Sequence, residues 1–387
     1  MLNIVGNANK SYSKLTFSIK TRGTPLLINI TNLKMNSYCD DLRAYPCFCA
    51  NPGELFCTVM KFVGENTFNA TQALINSGAF EFYSNELYII GDDAATLSVY
   101  GAHGQSVAEG REGNSGSRAI AARKLFIKGF SNIYLYGGSG SEGGNGLKGE
   151  DAPDYTYIGY NGDPGRNGGN GSNAIYCDYL TIDTAYLLAY GGSGGDGGKG
   201  GTGGDGAHGW NNPNNNGGNG GNGSLGGKGG TGGRGGNGAD AIVARISASI
   251  NFSKEGVMIG GSAGRAGCGG DGGRGGDGGT GARGADGWTK NNDGGNGGNG
   301  GDGGQGGDGG KAGSAGYGLY VNGKQSGTMG RLYNSFTQLN LAKGAGGEGG
   351  SGGAGGSAGS GIFGIKGDAG SRGVDGSWGA AGNPATY

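Results

Sequence analysis

The sequence predicts an all-β, partly irregular fold. Repeated β-strand units form a solenoid-like ribbon that carries a sandwich of glycine-rich polyproline II (polyglycine II) helices, behind a small β-rich N-terminal domain. Three observations predict it. Residues 191–240 repeat with a period of three, reading GGS-GGD-GGK-GGT-GGD-GAH, pausing at Gly209-Trp210-Asn211-Asn212-Pro213, and resuming as GGN-GGN-GSL-GGK-GGT-GGR-GGN-GAD. Short apolar runs punctuate several such tracts in a recurring order. The composition is extreme, with 103 Gly and only 7 Pro in 387 residues and 34% hydrophobic residues.

A period of three excludes the common elements. Two glycines per triplet would cost a helix about 1 kcal/mol each relative to alanine, and strand side chains repeat every two residues. Polyproline II repeats every three residues and has no internal hydrogen bonds, so its amides must find partners in water or in a neighbouring chain. Glycine faces without Cβ let neighbouring backbones approach closely enough to supply those partners. Collagen requires one glycine per triplet and abundant proline. A flexible glycine linker has no reason to hold frame across a turn and again in the next repeat.

Residues 1–80 have ordinary composition and are expected to form a β-rich attachment or capping domain. Strands are predicted over Leu15-Thr16-Phe17-Ser18-Ile19-Lys20 and Pro25-Leu26-Leu27-Ile28-Asn29-Ile30. Cys39, Cys47, Cys49 and Cys57 fall here. Free buried thiols, two disulfides and a metal site are all open readings, although Cys47-Phe48-Cys49 is tighter than a zinc knuckle.

Residues 81–387 read as a repeat of one composite unit. Strands begin near Ile120, Ile175, Ile242 and Leu319, progressively further apart, and glycine tracts open at Gly137, Gly191, Gly260 and Gly344. A degenerate copy runs from Leu87 to Arg118. This is a solenoid pattern with lengthening arms. Glycine is sparser in residues 101–118, 162–173 and 361–382, which places the first and last arms at the perimeter, where fewer bare faces are needed.

Chemistry-bearing constellations are scarce. With 29 Lys+Arg against 30 Asp+Glu and a net charge of -1, the chain lacks the basic excess that nucleic-acid binding requires. It has no apolar run long enough to cross a membrane as a helix, and its first residues do not resemble a secretion signal. His103 and His208 stand alone at outward third positions, without a nucleophile or acid at an interpretable spacing. The aspartates of the tracts lack the apolar position of calcium-binding nonapeptide repeats. No enzymatic activity, cofactor or metal is expected.

The informative positions are the reversals between outgoing and returning tracts. His208, Trp210, Asn211 and Asn212 occupy one, and Trp288, Lys290, Asn291 and Asn292 the equivalent place in the next unit. Tyr155, Tyr157 and Tyr160 fill the earlier reversal, and Phe363 lies near the last. Parallel arms would bring these aromatic and Asn-rich loops to one surface, a composition suited to protein or sugar contacts. Capping of exposed glycine backbone is the alternative role.

With arms of Gly-Gly-x joined by variable loops, residues 101–387 resemble the long-tail-fibre tip adhesins of T-even-like bacteriophages. That resemblance implies an N-terminal domain attached to a larger fibre, a polyglycine II sandwich, and distal loops, here at about 151–161, 207–216, 285–293 and 362–366, that bind a host surface receptor of protein or glycan. It implies an extracellular or virion-surface location. Residues 1–80 show no match to that family's attachment domain. The triplets are also similar to those of springtail antifreeze proteins, but the third positions mix Lys, Arg, Asp and Asn rather than the small side chains an ice-binding face requires. A structural subunit of an extracellular or virion filament, packed through its glycine tracts, is the alternative function.

Overall fold

The computed structural model describes residues 1–7, 9–19, 25–37, 46–50, 57–71, 78–154, 156–210, 221–277, 299–321, 339–342, 374 and 377. Among these residues the regular secondary structure is all strand, and the strands wind as a coil with three strand segments to each turn. β1 (Leu2–Val5), β2 (Ser11–Leu15) and β3 (Phe17–Ile19) make the first turn. β4 (Leu26–Thr31), β5 (Lys34–Ser37) and β6 (Phe48–Ala50) make the second. The third comprises β7 (Cys57–Val63), β8 (Glu65–Asn69) and the start of β9 (Phe80–Gly91), whose remainder begins the fourth with β10 (Thr96–Tyr100). Long strands carry the chain round later corners in the same way: β11 (Ile120–Lys128), then β12 (Asn132–Tyr136), β13 (Ile175–Tyr190) and β14 (Ile242–Ile259). β15 (Leu319–Val321) and β16 (Leu339–Ala342) both pair with β14.

Every turn re-enters in the same direction, so the ladders are parallel. One face runs β1-β4-β7-β9-β11-β13-β14, and a second runs β2-β5-β8-β10-β12-β13-β14. The third runs β3-β6-β9-β11-β13-β14-β15. Irregularities between Ala122 and Lys124, Cys177 and Tyr179, and Thr184 and Tyr186 bend the long strands from one face to the next, as bulges do. The three faces are thereby one continuous curled sheet. Residues predicted as a single strand from Leu15 to Lys20 are split between β2 and β3, because a corner of the coil falls at Thr16.

Strand alternation fills the interior. Ile28 and Ile30, Met60 and Phe62, Leu87 and Ile89, and Leu125 and Ile127 are buried in successive turns of the first face. Phe48 stacks on Phe17 with ring centroids 4.9 Å apart and meets Phe68 and Phe80 edge-on. The buried Asn66 holds a corner: its Oδ1 accepts from Leu33 N–H at 2.9 Å, and its Nδ2 donates to the Val63 and Gly64 carbonyls.

The ladders cross residue 80 without interruption, since β7 and β6 pair with β9 and β8 pairs with β10. Composition changes there because the glycine arms begin, while the coil itself continues. Cys47, Cys49, Cys57 and Cys177 are free thiols, so the two-disulfide reading fails. Burial pushes Cys47 and Cys177 up to about 12. Cys39 lies outside the described residues. Among those residues no group of three or more His, Cys, Asp or Glu side chains is placed to hold a metal ion.

Where the chain re-enters the coil, Gly78 N–H donates to Glu81 Oε1, and Arg118 lies 4.0 Å from the Tyr176 ring while donating to Tyr83 Oη. Burial raises the Glu81 carboxyl from 4.5 to about 7, outweighing the Gly78 bond and the Arg118 charge. A raised folded-state value means that the native protein binds the extra proton between those limits. The Glu81 contribution to stability is therefore full below pH ~4.5 and is lost as pH rises through about 7. Urea unfolding from pH 4 to 8 is expected to show this decline in the native chain and a flatter profile in Glu81→Gln.

Candidate functional site

Glycine arms leave the coil from the ends of the second face and return to the third. Arm 1 covers residues 101–118 and arm 2 residues 137–174; the described limbs of arm 3 are residues 191–210 and 221–241, and those of arm 4 residues 260–277 and 299–318, the first limb of each outgoing and the second returning. Within a triplet, each backbone position has its own partner. First-position amides donate sideways to third-position carbonyls of the next outgoing limb, as in Gly194 to Ser262, Gly197 to Arg265 and Gly200 to Cys268 at 2.8–2.9 Å. Second-position amides donate across to the facing limb, as in Gly198 to Arg166 and Gly233 to Gly198, both 2.8 Å.

The third-position amides are met by side chains. Asn145 Oδ1 accepts from Lys199 N–H at 2.9 Å, Asp196 Oδ1 from Arg265 N–H at 2.7 Å, and Asn237 Oδ1 from Ser314 N–H at 2.9 Å. These pairs are separated by 54, 69 and 77 residues, the local repeat lengths. Both histidines belong to this set. His103 Nδ1 accepts from Ser139 N–H at 3.0 Å, and His208 Nδ1 from Asp277 N–H at 3.1 Å. Third-position polar residues therefore have a structural task besides facing water, one that the sequence reading did not assign.

The close approach requires bare positions. A Cβ on Gly198 would stand 2.1 Å from the Gly144 carbonyl oxygen, and one on Gly194 2.0 Å from that of Gly236. Second-position Cβ directions point at the preceding arm, first-position ones across to the facing limb. Arm 1 bonds to arm 2 alone among the other arms, while the outgoing limb of arm 3 is bonded to arm 2, to its own returning limb and to arm 4. Arm 1 is thus at the perimeter, as its composition predicts, whereas residues 162–173, also glycine-poor, are bonded to both arm 1 and arm 3. Of the 361–382 arm only residues 374 and 377 are described, and their carbonyls accept from the Gly306 and Gly309 N–H groups of arm 4 at 2.8 Å.

Because the arms lengthen, arm 2 projects beyond arm 1 and arm 3 beyond arm 2, each leaving a terrace. Second positions there have no preceding arm to meet, and they carry side chains. Leu147 and Glu150 on the outgoing limb of arm 2, and Tyr160 and Asp163 on its returning limb, lie past the end of arm 1. Leu147 is 48% and Tyr160 53% exposed. On arm 3, Trp210 lies past the end of arm 2; its indole covers the side of Gly221, whose Cβ would meet Trp210 Cδ1 at 2.2 Å, and it remains 44% exposed.

Of the residues singled out from sequence, Tyr157, Tyr160 and Trp210 stand exposed at the arm ends. His208 is exposed but is tied to arm 4 through Asp277. The arm 2 reversal leans on arm 3, where Gly159 N–H donates to the Leu225 carbonyl at 2.9 Å. Tyr155, Asn211, Asn212, Trp288, Lys290, Asn291, Asn292 and Phe363 lie outside the described residues. Ile158, within the predicted 151–161 loop, is exposed as well, and sequence reasoning passed over Leu147 and Leu225, both exposed at the same end. For Leu147, the missing second glycine of its triplet was the available signal.

No protein-family model matches the chain, and no curated protein does. Among solved structures, the chain is similar to one described as the nine polyproline type II helical bundle springtail antifreeze protein from Granisotoma rainieri. The alignment has 22% identity and covers 62% of this chain and 95% of that one, with a TM-score of 0.08, too low to carry an argument about fold or function.

The three triplet positions differ in what they tolerate, and thermal or urea unfolding is expected to rank them. Gly198→Ala should cost at least about 2 kcal/mol, as overpacking against backbone. Asn145→Ala should cost about 1 kcal/mol for one lost acceptor. Thr202→Ala, whose side chain serves no third-position amide, should stay within about 0.5 kcal/mol.

Proposed function

We propose that the glycine arms are polyglycine II helices packed as a sandwich, and that this scaffold presents a receptor-binding surface at its distal end. On this reading the protein is a non-enzymatic adhesin of a phage or virion tail-fibre tip, or of a cell surface, acting outside the cell or on a particle. Residues 1–80 join it to a larger fibre. The period-three bonding of first and second positions supports the helix assignment, because only a three-residue repeat gives every triplet the same partners.

The observation that carries the function is the exposure of Tyr157, Tyr160 and Trp210 at the ends of arms held by dense backbone bonding. Large aromatic side chains presented by a rigid framework lose little entropy on binding and dominate contact energies. Trp210 also covers Gly221, so capping and recognition are two uses of the same ring.

The filament alternative needs a face on which another glycine lattice can pack. At the arm 1 side, side chains at Leu147, Glu150, Tyr160 and Asp163 replace the glycines such packing requires. An ice-binding face is disfavoured by the mixed charges along the third positions.

Binding of the purified protein to intact host cells, followed by flow cytometry, tests the reading. Trp210→Ala with Trp288→Ala is expected to reduce binding at least tenfold while leaving the unfolding midpoint of the coil nearly unchanged. Unaltered cell binding by the double variant, or assembly of the native chain into fibres without any cell binding, would sink it.

A further inference from the structure

The terrace beyond arm 1 has a specific chemical character. Leu147 and Tyr160 stand exposed along it, with Tyr157 and Ile158 at its outer end. Among the described residues, the N–H groups of Leu147 and Glu150 meet no acceptor, because the limb that takes the equivalent Gly144 N–H, at the Arg111 carbonyl, does not extend that far. At the inner end of the terrace, a cavity of about 370 Å³ opens between arms 1 and 2, lined by Val107, Glu109, Ser141 and Glu142 among others. Its lining carries two carboxylates and no cation. The Lys148 ammonium close by is held by Asp151 at 2.8 Å. Along residues 105–112 and 141–166 the acids Glu109, Glu112, Glu142, Glu150, Asp151, Asp154 and Asp163 outnumber the bases Arg111, Lys148 and Arg166. Arms 3 and 4 mix both signs along their third positions.

We propose that this terrace binds an extended, proline-rich, basic polypeptide segment, with one Lys or Arg side chain in the cavity between Glu109 and Glu142. The inference rests on the reading of the arm ends as contact surfaces and names the partner of one of them. Side chains at Leu147, Glu150, Tyr160 and Asp163 hold an incoming backbone too far away for glycine-lattice packing, so recognition falls to rings and charges. A polyproline II segment fits these conditions. It is already extended, it docks against aromatic rings, and it needs no donors of its own from proline. The uncovered part of the outgoing limb, residues 147–152, is matched by about six residues, or ~19 Å, of such a segment. Cations spaced along it meet Glu150 and Asp163 after the first enters the cavity.

The full chain is titrated with fluorescein-labelled (Pro-Pro-Lys)3, read by polarisation. Controls are (Pro-Pro-Glu)3, of equal stiffness and opposite charge, and (Gly-Ser-Lys)3, of equal charge and greater flexibility. Binding of (Pro-Pro-Lys)3 at least tenfold tighter than either control is expected. Glu109→Gln with Glu142→Gln, both exposed, should weaken it about tenfold, and Tyr160→Ala about fivefold, with unchanged unfolding midpoints. Equal binding of the two lysine peptides, or indifference to these substitutions, overturns the proposal. So does a chitosan hexamer that binds with the same residue dependence when the peptides do not, which would make the terrace a glycan site. Cell binding lost in the Trp210/Trp288 variant while (Pro-Pro-Lys)3 still fails to bind the native chain overturns this proposal alone. Failure of both cell and peptide binding by the native chain overturns it together with the receptor reading.

Discussion

The structure depends on one constraint: backbones must pass close enough, through positions without Cβ, to exchange hydrogen bonds across several arms in succession. Gly307 donates to Gly270, Gly270 to Gly230, Gly230 to Gly201, Gly201 to Asp163 and Asp163 to Leu147, a single zigzag crossing all the limbs between arms 4 and 2. Each N–H and C=O in such a chain polarises the next. One bond contributes only about 0.5–1.5 kcal/mol net, but a Cβ in the middle of the row would push two arms apart and weaken every bond beside it. Rigidity in this half of the molecule is therefore a property of rows. It does not require an apolar interior, which the composition of the arms does not provide.

The coil supplies what the arms cannot, namely a fixed origin and a fixed spacing. Strands in a ladder stand about 4.8 Å apart, and Tyr100, Tyr136 and Tyr190 mark that spacing where the arms depart, with ring centroids 4.8 and 5.5 Å apart. The first bond of each arm continues the ladder beneath it. Gly101 donates to the Tyr136 carbonyl, Gly137 to that of Tyr190 and Gly191 to that of Ile259, at 2.7–2.8 Å. An arm that starts in register at its root stays in register through its described triplets, because each later triplet repeats the same bonds. The ordinary apolar core of the coil is in this way the template for the glycine rows.

Legibility from sequence divides along the same line. The period of three in residues 191–240 and the return of strands near Ile120, Ile175, Ile242 and Leu319 were enough to predict a solenoid with lengthening arms. Residues 1–80 read as separate because their composition is ordinary, and β1 to β8, only three to seven residues long, do not reveal the continuous coil. In such short strands the alternation of apolar residues does not reveal where the coil turns its corners. The acceptor role of Asn145, Asp196 and His208 was hidden for a different reason. Each serves an amide one whole repeat later, and the register between arms cannot be assigned until the strands that root them are paired. Of the arm ends, Trp210 and the tyrosines were conspicuous as aromatics, whereas Leu147 was passed over because one leucine in a glycine tract looks like noise.

Once the register is known, the departures from Gly-Gly-x become the most informative part of the arms. Gly198 and Gly201 lie beside arm 2 and are bare, while Leu147 and Tyr160, in the equivalent second position of arm 2, lie beyond arm 1 and are not. The side chain appears where the neighbour stops. A glycine edge left bare would offer open amides and carbonyls to any other extended chain, the same hazard that an unprotected edge strand presents. Bulky and charged residues at the terraces remove that hazard and at the same time place aromatic rings and carboxylates on the surface. On the proposed reading, edge protection and recognition are served by the same substitutions, so a variant that restores glycine at Leu147 or Tyr160 would gain lattice compatibility and lose the proposed contact surface in one step.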